Sequence, residues 1–236
     1  MNTGAGNTHE RPVQASFEFA SPPQSFKDLD RGEANSAAIE FLESVADWPF
    51  PVACLIGPAR SGKSTLAEVW ARSQNGLCLT PEALMARSER VDLSTTALAI
   101  DPADTGLPEK ALLSLVNQAG ERGGRLLLTA YTPPLAWHVE NKDLISRLAS
   151  LPLAEIGAPD AEMVGLRLYS LLRRHFEAPP MDVIRFLGPR LKRTYADIES
   201  CAKRLAGRVG SGQGLTVLLA SSVLTEMYGA EDEGDG

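Results

Sequence analysis

The chain has 236 residues, of which 44% are hydrophobic and 22% charged, with a formal net charge of -7 and a pI near 5.1. That is enough length for one large domain or an α/β domain with a small appendage, and the acidic balance argues against the broad basic footprint of a non-specific nucleic-acid binder. No apolar run approaches the roughly 18 residues that cross a membrane, and residues 1–10 lack the basic and apolar regions of a secretion signal. Cys54, Cys78 and Cys201 stand far apart, without histidines at metal-ligand spacing. They are expected to be small buried hydrophobes in a cytoplasmic, reducing setting.

Residues 1–24 are polar and rich in Gly and Pro, a flexible arm interrupted by Phe17-Glu18-Phe19. Ala34 to Ala46 has helical periodicity, with Ala37, Ala38, Phe41, Leu42 and Val45 predicted to share one side. Trp48-Pro49-Phe50-Pro51 then leads into Val52-Ala53-Cys54-Leu55-Ile56, a continuous apolar run expected to form a buried strand. Leu77-Cys78-Leu79 fits a short second strand. Ala97 to Asp101 and Arg125 to Thr129 are two more apolar runs, each closing on a polar residue. Between them, Glu109 to Gly120 sets Ala111, Leu112, Leu115, Val116 and Ala119 on one stripe. Strand and helix therefore alternate, as in an α/β domain whose parallel sheet is flanked by helices.

Strand signals stop near residue 158. Helices are predicted over 160–175, 181–187, 194–209 and 216–228, separated by Pro179-Pro180, Gly188-Pro189 and Gly210-Ser211-Gly212. The expected organisation is an arm (1–24), an α/β domain (25–158), a small all-helical domain (159–228) and an acidic, disordered tail (229–236). Arg190, Lys192, Arg193, Lys203, Arg204 and Arg208 cluster in the helical part. Their spacing suits the solvated face of a helix better than contact with nucleic acid.

Between the first strand and the helix after it, Gly57-Pro58-Ala59-Arg60-Ser61-Gly62-Lys63-Ser64 fits G-x-x-x-x-G-K-[ST]. Glycines at 57 and 62 let backbone N–H groups curl around phosphate oxygens. Lys63 is expected to reach the β- and γ-phosphates, and Ser64 to coordinate Mg2+. The start of the helix from Lys63, Ser64 and Thr65 adds its dipole. The expected ligand is a purine nucleoside triphosphate or diphosphate. Asp101 stands where phosphate-loop proteins hold magnesium through a carboxylate, usually by way of its water shell, with a strand-end or turn aspartate as the lesser alternative. Pro102 occupies the place of a second acid, and Asp104 is set beyond a proline turn, so intrinsic hydrolysis is expected to be weak. Thr129 either hydrogen-bonds near the γ-phosphate or is a simple strand-end threonine.

The loop at 57–64, Asp101, Thr129 followed by Pro133-Pro134, and Ser146-Arg147-Leu148 occur in the order of the DnaA-type AAA+ ATPases, and the resemblance spans about residues 25–228. Within that group the chain most resembles the Hda family of short DnaA homologues, regulators that inactivate the replication initiator, particularly its alphaproteobacterial form. The resemblance implies an AAA+ module with a helical lid, ATP or ADP with Mg2+ as cofactors, and no origin-binding helix-turn-helix. It implies for Arg147 the role of an arginine finger, offered in trans to the ATP of a DnaA neighbour; from the residues alone, Arg147 reads as a surface arginine near a helix end. Gln14-Ala15-Ser16-Phe17-Glu18-Phe19 resembles the Q-x-x-[LF]-x-[LF] peptide that docks on the bacterial sliding clamp, with Gln14, Phe17 and Phe19 as anchors. As a short motif on its own it reads first as an incidental apolar spot in a tail, and the family resemblance is what favours the clamp peptide. The family's lid arginine aligns with Ala196, with Arg193 one turn earlier, and a homodimer is left open by the sequence.

Overall fold

The computed structural model describes residues 23–87, 91–209 and 214–229. The peptide at 14–19 and residues 230–236 of the tail lie outside the described residues. Five strands form one parallel sheet: β1 (Val52–Ile56), β2 (Leu77–Leu79), β3 (Leu98–Ile100), β4 (Leu126–Ala130) and β5 (Leu153–Glu155), in the order β2-β3-β4-β1-β5. The first strand lies inside the sheet, with β4 on one side and β5 on the other. The crevice outside the carboxyl ends of such strands is where open α/β sheets place ligands.

The pleat sorts the strand residues between two cores. Ala53, Leu55, Ala99 and Leu127 face α1 (Ser36–Glu43) and α2 (Lys63–Ser73), packing against Ile39, Leu42, Leu66, Val69 and Trp70. Val52, Cys54, Ile56, Leu98, Ile100, Leu126 and Leu128 face α4 (Glu109–Arg122) and α5 (Lys142–Ala149) on the other side. All five residues of β1 are buried, as are all five of β4, which is why both read as unbroken apolar runs. The short α3 (Pro81–Met85) follows β2, its N-cap Thr80 accepting from the Ala83 amide.

Helix α1 is shorter than predicted, and its buried stripe is Ala38, Ile39 and Leu42, with Ala37 exposed. Val45 is buried from a separate 3-10 turn at Val45–Asp47. Trp48 ends that turn and lies between Phe41 and Trp70 in a stack with centroid distances of 5.1 and 5.7 Å. That stack ties α1 to α2, and Trp48 Nε1 donates to the Phe41 carbonyl.

The chain ends in α6 (Ala161–Leu172), α7 (Met181–Leu187), α8 (Tyr195–Val209) and α9 (Val217–Tyr228), which surround a third core that includes Leu168, Leu172, Ile184, Leu187, Ile198, Leu205 and Val223. Two residues of this bundle belong instead to the core beside α1 and α2: Met163 of α6 and Tyr195 of α8. Tyr195 also donates its hydroxyl to the Gly157 carbonyl, so the bundle is pinned to the sheet domain near β5. The basic residues of α8 are largely neutralised locally, Lys203 by Glu199 and both Arg204 and Arg208 by Glu226. That supports the solvated-face reading. Cys54 and Cys201 are buried as expected and Cys78 is half-buried; burial pushes each thiol up to about 12.

Candidate functional site

The loop from Gly57 to Ser64 joins the carboxyl end of β1 to the N-terminus of α2. Gly62 is its hinge: at φ +98° it caps α2 in a left-handed conformation where a side chain would be strained. Arg60 also takes a positive φ, of 65°. Gly57 sits in a tight place, because a Cβ there would lie 3.0 Å from Ile156 and 3.2 Å from Ser61 Oγ, close enough that a neighbour would have to shift. The first-turn amides of α2, from Lys63, Ser64 and Thr65, have no helical acceptor behind them and open toward the loop.

Lys63 is only 5% exposed and donates to the Gly57 and Pro58 carbonyls, each at 2.8 Å. Burial lowers its pKa, while the charges of Asp101 and Asp104 act in the opposite direction. The Tyr131 ring covers its ammonium at 4.3 Å. Ser61 Oγ is buried with no hydrogen-bond partner among the described residues. A buried cation, a buried orphan hydroxyl and unsatisfied helix amides around a left-handed glycine are the donor set of an anion cradle, and they fit a phosphate chain.

At the end of β3, Asp101 reaches the same cavity as Arg60, Gly62, Lys63, Ser64 and Thr65, a space of about 250 Å³. Thr129 is fully buried and gives its hydroxyl proton to Asp101 Oδ1, so it holds the carboxylate in place from behind and does not itself line the cavity. Asp104 does not line this cavity: its Oδ2 accepts the Tyr131 amide at 2.7 Å, and its Oδ1 is buried without a hydrogen-bond partner among the described residues. Among the described residues no group of three or more His, Cys, Asp or Glu stands ready to hold a metal. A hydroxyl and one carboxylate suit Mg2+ that arrives with phosphate and water oxygens completing its shell.

A second cavity of about 330 Å³ lies between the segment at 28–39 and the helical bundle, lined by Asp28, Asp30, Ile39, Met163 and Tyr195 among others. Arg167 and Arg174 from the bundle line both cavities. From α8, Glu199 reaches the first cavity and pairs with Arg60 at 3.4 Å. Hydrogen bonding from Lys203 lowers its pKa most; burial opposes that, and the charges of Arg60, Lys203 and Arg167 add to the lowering. Arg193 and Ala196 are exposed and line neither cavity.

Pro58, Ala59 and Arg60 form the exposed crest of the loop, and the structure brings the loop residues and Asp101 together. Arg147 is elsewhere. It lies on α5 with its side chain 38% exposed, Nε donating to Asp143 Oδ1 at 3.1 Å, and it lines neither cavity. Sequence reasoning missed Tyr131, Arg167, Arg174 and Glu199. Tyr131 had a usable signal, its place immediately after β4; the other three reach the site only through the packing of the bundle.

No protein-family model matches the chain, and no curated protein does. Solved structures match its architecture. Domain III of the Thermotoga maritima replication initiation protein DnaA superposes with a TM-score of 0.69 at 17% identity, covering 87% of this chain and 97% of that domain. The fold is that of a DnaA-like AAA+ module. AMPPCP-bound DnaA from Aquifex aeolicus gives a TM-score of 0.62 at 14% identity, with 78% of this chain covered and 65% of that one. A Thermotoga maritima RuvB mutant gives 0.60 at 16% identity, over 91% of this chain and 76% of the other. The five-stranded parallel sheet, the flanking helices and the helical bundle are thus an AAA+ arrangement. No helix among the described residues is long and apolar enough to cross a membrane.

Proposed function

We propose that this AAA+ module binds ATP or ADP with Mg2+ and regulates a DnaA-type replication initiator, in the manner of the Hda family. The loop amides, Lys63 and Ser64 would hold the β- and γ-phosphates, and Asp101, steadied by Thr129, would hold the water shell of the magnesium. The likeness to AMPPCP-bound DnaA supports an adenine nucleotide. Weak intrinsic hydrolysis is expected, because Asp104 spends a carboxylate oxygen on the Tyr131 amide and Pro102 offers no base. In the proposed cycle the arm docks on the sliding clamp through Gln14, Phe17 and Phe19, and the module then meets ATP-bound DnaA.

The observation that carries this reading is Arg147, a surface arginine outside both cavities of its own chain. Its only ion pair among the described residues is with Asp143 one helical turn away, and an exposed pair of this kind is worth about 0.3–0.5 kcal/mol. The guanidinium can therefore be given up to a neighbour's γ-phosphate at small cost. An arginine supplied in trans accelerates phosphoryl transfer by about 10³–10⁵.

The test is a reconstituted assay of ATP hydrolysis by DnaA, with sliding clamp loaded on DNA. The expected result is stimulation by the wild-type protein that Arg147→Ala abolishes and that alanines at Gln14, Phe17 and Phe19 also abolish. Complex formation with no stimulation by the wild type would make it an adaptor joining clamp and DnaA. Turnover by the protein alone, dependent on Asp104, would make it a self-contained ATPase.

A further inference from the structure

The bundle offers the phosphate cavity a pair of cations that its α8 helix does not supply. Arg167 lies four residues after Met163 on the side of α6 turned to the sheet domain, and Arg174 stands in the turn just beyond the α6 C-cap, Arg173. Both line the phosphate cavity and the larger cavity beside it. Gly62 and Thr65 are also common to both, so the two spaces meet where the guanidiniums face the phosphate loop.

Neither guanidinium has a hydrogen bond or ion pair among the described residues, and both line the phosphate cavity, whereas Arg60, which also lines it, is paired with Glu199. Arg167 is half-buried, and both burial and the charge of Arg174 work against its own charge; Asp30, Tyr195 and Glu199 compensate from a distance. Guanidinium stays protonated in proteins, so two such groups lining one cavity, Arg167 half-buried and Arg174 exposed, keep a positive field there. An anion with several oxygens relieves that repulsion and satisfies the planar donors in pairs. On α8 the side chain that reaches the cavity is the carboxylate of Glu199, already committed to Arg60 and Lys203.

We propose that Arg167 on α6 and Arg174 in the turn that follows it bind the polyphosphate of the nucleotide, as the lid cations of this module, in place of a cation on α8. The inference rests on the nucleotide-binding reading above. It gives the lid a direct hold on the phosphates, opposite Lys63 and the α2 amides.

Titration calorimetry with ATP, ADP and AMP tests it on the full chain. Wild-type affinity is expected to rise from AMP to ATP. Arg167→Gln and Arg174→Gln should each weaken ATP binding about tenfold and leave AMP binding within about threefold, so that the ATP-to-AMP ratio collapses further in the double variant. Arg167→Lys, which keeps the charge, should recover part of the ratio, and Arg193→Gln should leave it unchanged. A merely structural role would weaken all three ligands alike. If ATP binds the wild type and is lost in Lys63→Ala, but the ratio survives in the double glutamine variant, the lid assignment is wrong and the nucleotide site stands. If the wild type binds none of the three, both fall. Should Arg167→Gln unfold, Arg174→Gln at its exposed position and Arg167→Lys carry the same comparison.

Discussion

Thr129 sits at the end of a fully buried strand, and its hydroxyl has one task among the described residues: it donates to Asp101 Oδ1. Replacement by valine keeps the shape and removes the donor, leaving a half-buried carboxylate oxygen with its solvation lost and no partner. Such an orphan costs about 1–3 kcal/mol. Thr129→Val is therefore expected to lower the unfolding free energy by that amount, read in urea as a lower midpoint with an unchanged m-value, and to weaken magnesium-dependent binding of ATP more than magnesium-free binding. A variant as stable as the wild type would mean that Asp101 is held by something else. The sequence offered two roles for Thr129, a ligand to phosphate and a strand-end residue; the structure gives a third, because the polar partner comes from β3, 28 residues earlier. Tertiary pairings of this kind leave no trace in local spacing. The loop at 57–64 is the opposite case. Its glycines, lysine and serine act through backbone they themselves shape, so their spacing alone carries the site.

At the scale of elements, α5 is positioned by α4. Glu109, the first residue of α4, accepts the Glu140 amide at 2.8 Å with one carboxylate oxygen and the Asn141 amide at 3.0 Å with the other. Asn141 is the N-cap of α5 and accepts the Leu144 amide, so one glutamate fixes the entry of the helix that carries Arg147. Glu109→Ala should cost about 1 kcal/mol and expose the amides of Glu140 and Asn141 to faster hydrogen exchange, with Glu109→Gln intermediate because one acceptor remains. Exchange at those two amides unchanged in Glu109→Ala would show that α5 is held by its apolar face alone. Elements differed in legibility for a physical reason. β1, β3 and β4 are covered on both faces and read as apolar runs. β5 escaped notice because it is an edge strand of three residues in which only Ala154 is buried. In α1 the predicted stripe was displaced because Ile39 is buried and Ala37 is exposed; two small alanines side by side do not reveal which way the helix is turned.

For the whole molecule the question is whether sheet domain and bundle unfold together. Each has its own core, which alone would permit two transitions. Three features join them: Met163 and Tyr195 are buried in the core of the sheet domain, the Tyr195 hydroxyl holds the Gly157 carbonyl, and Arg60 of the phosphate loop pairs with Glu199 of α8. The exposed ion pair adds little, so the joint depends on the two buried side chains. The cavities also lie between the two parts, and a ligand there touches both. A ligand that binds only the folded form stabilises it by about 2.7 kcal/mol at a hundred times its Kd. In a chain of this size each kcal/mol moves Tm by roughly 2–4 °C. Calorimetry is therefore expected to show one transition, raised by about 5–10 °C under saturating ATP and Mg2+. Two transitions of which ATP moves only the one from the sheet domain would mean that the bundle takes no part in binding, because stabilisation by a bridging ligand must reach both parts it bridges.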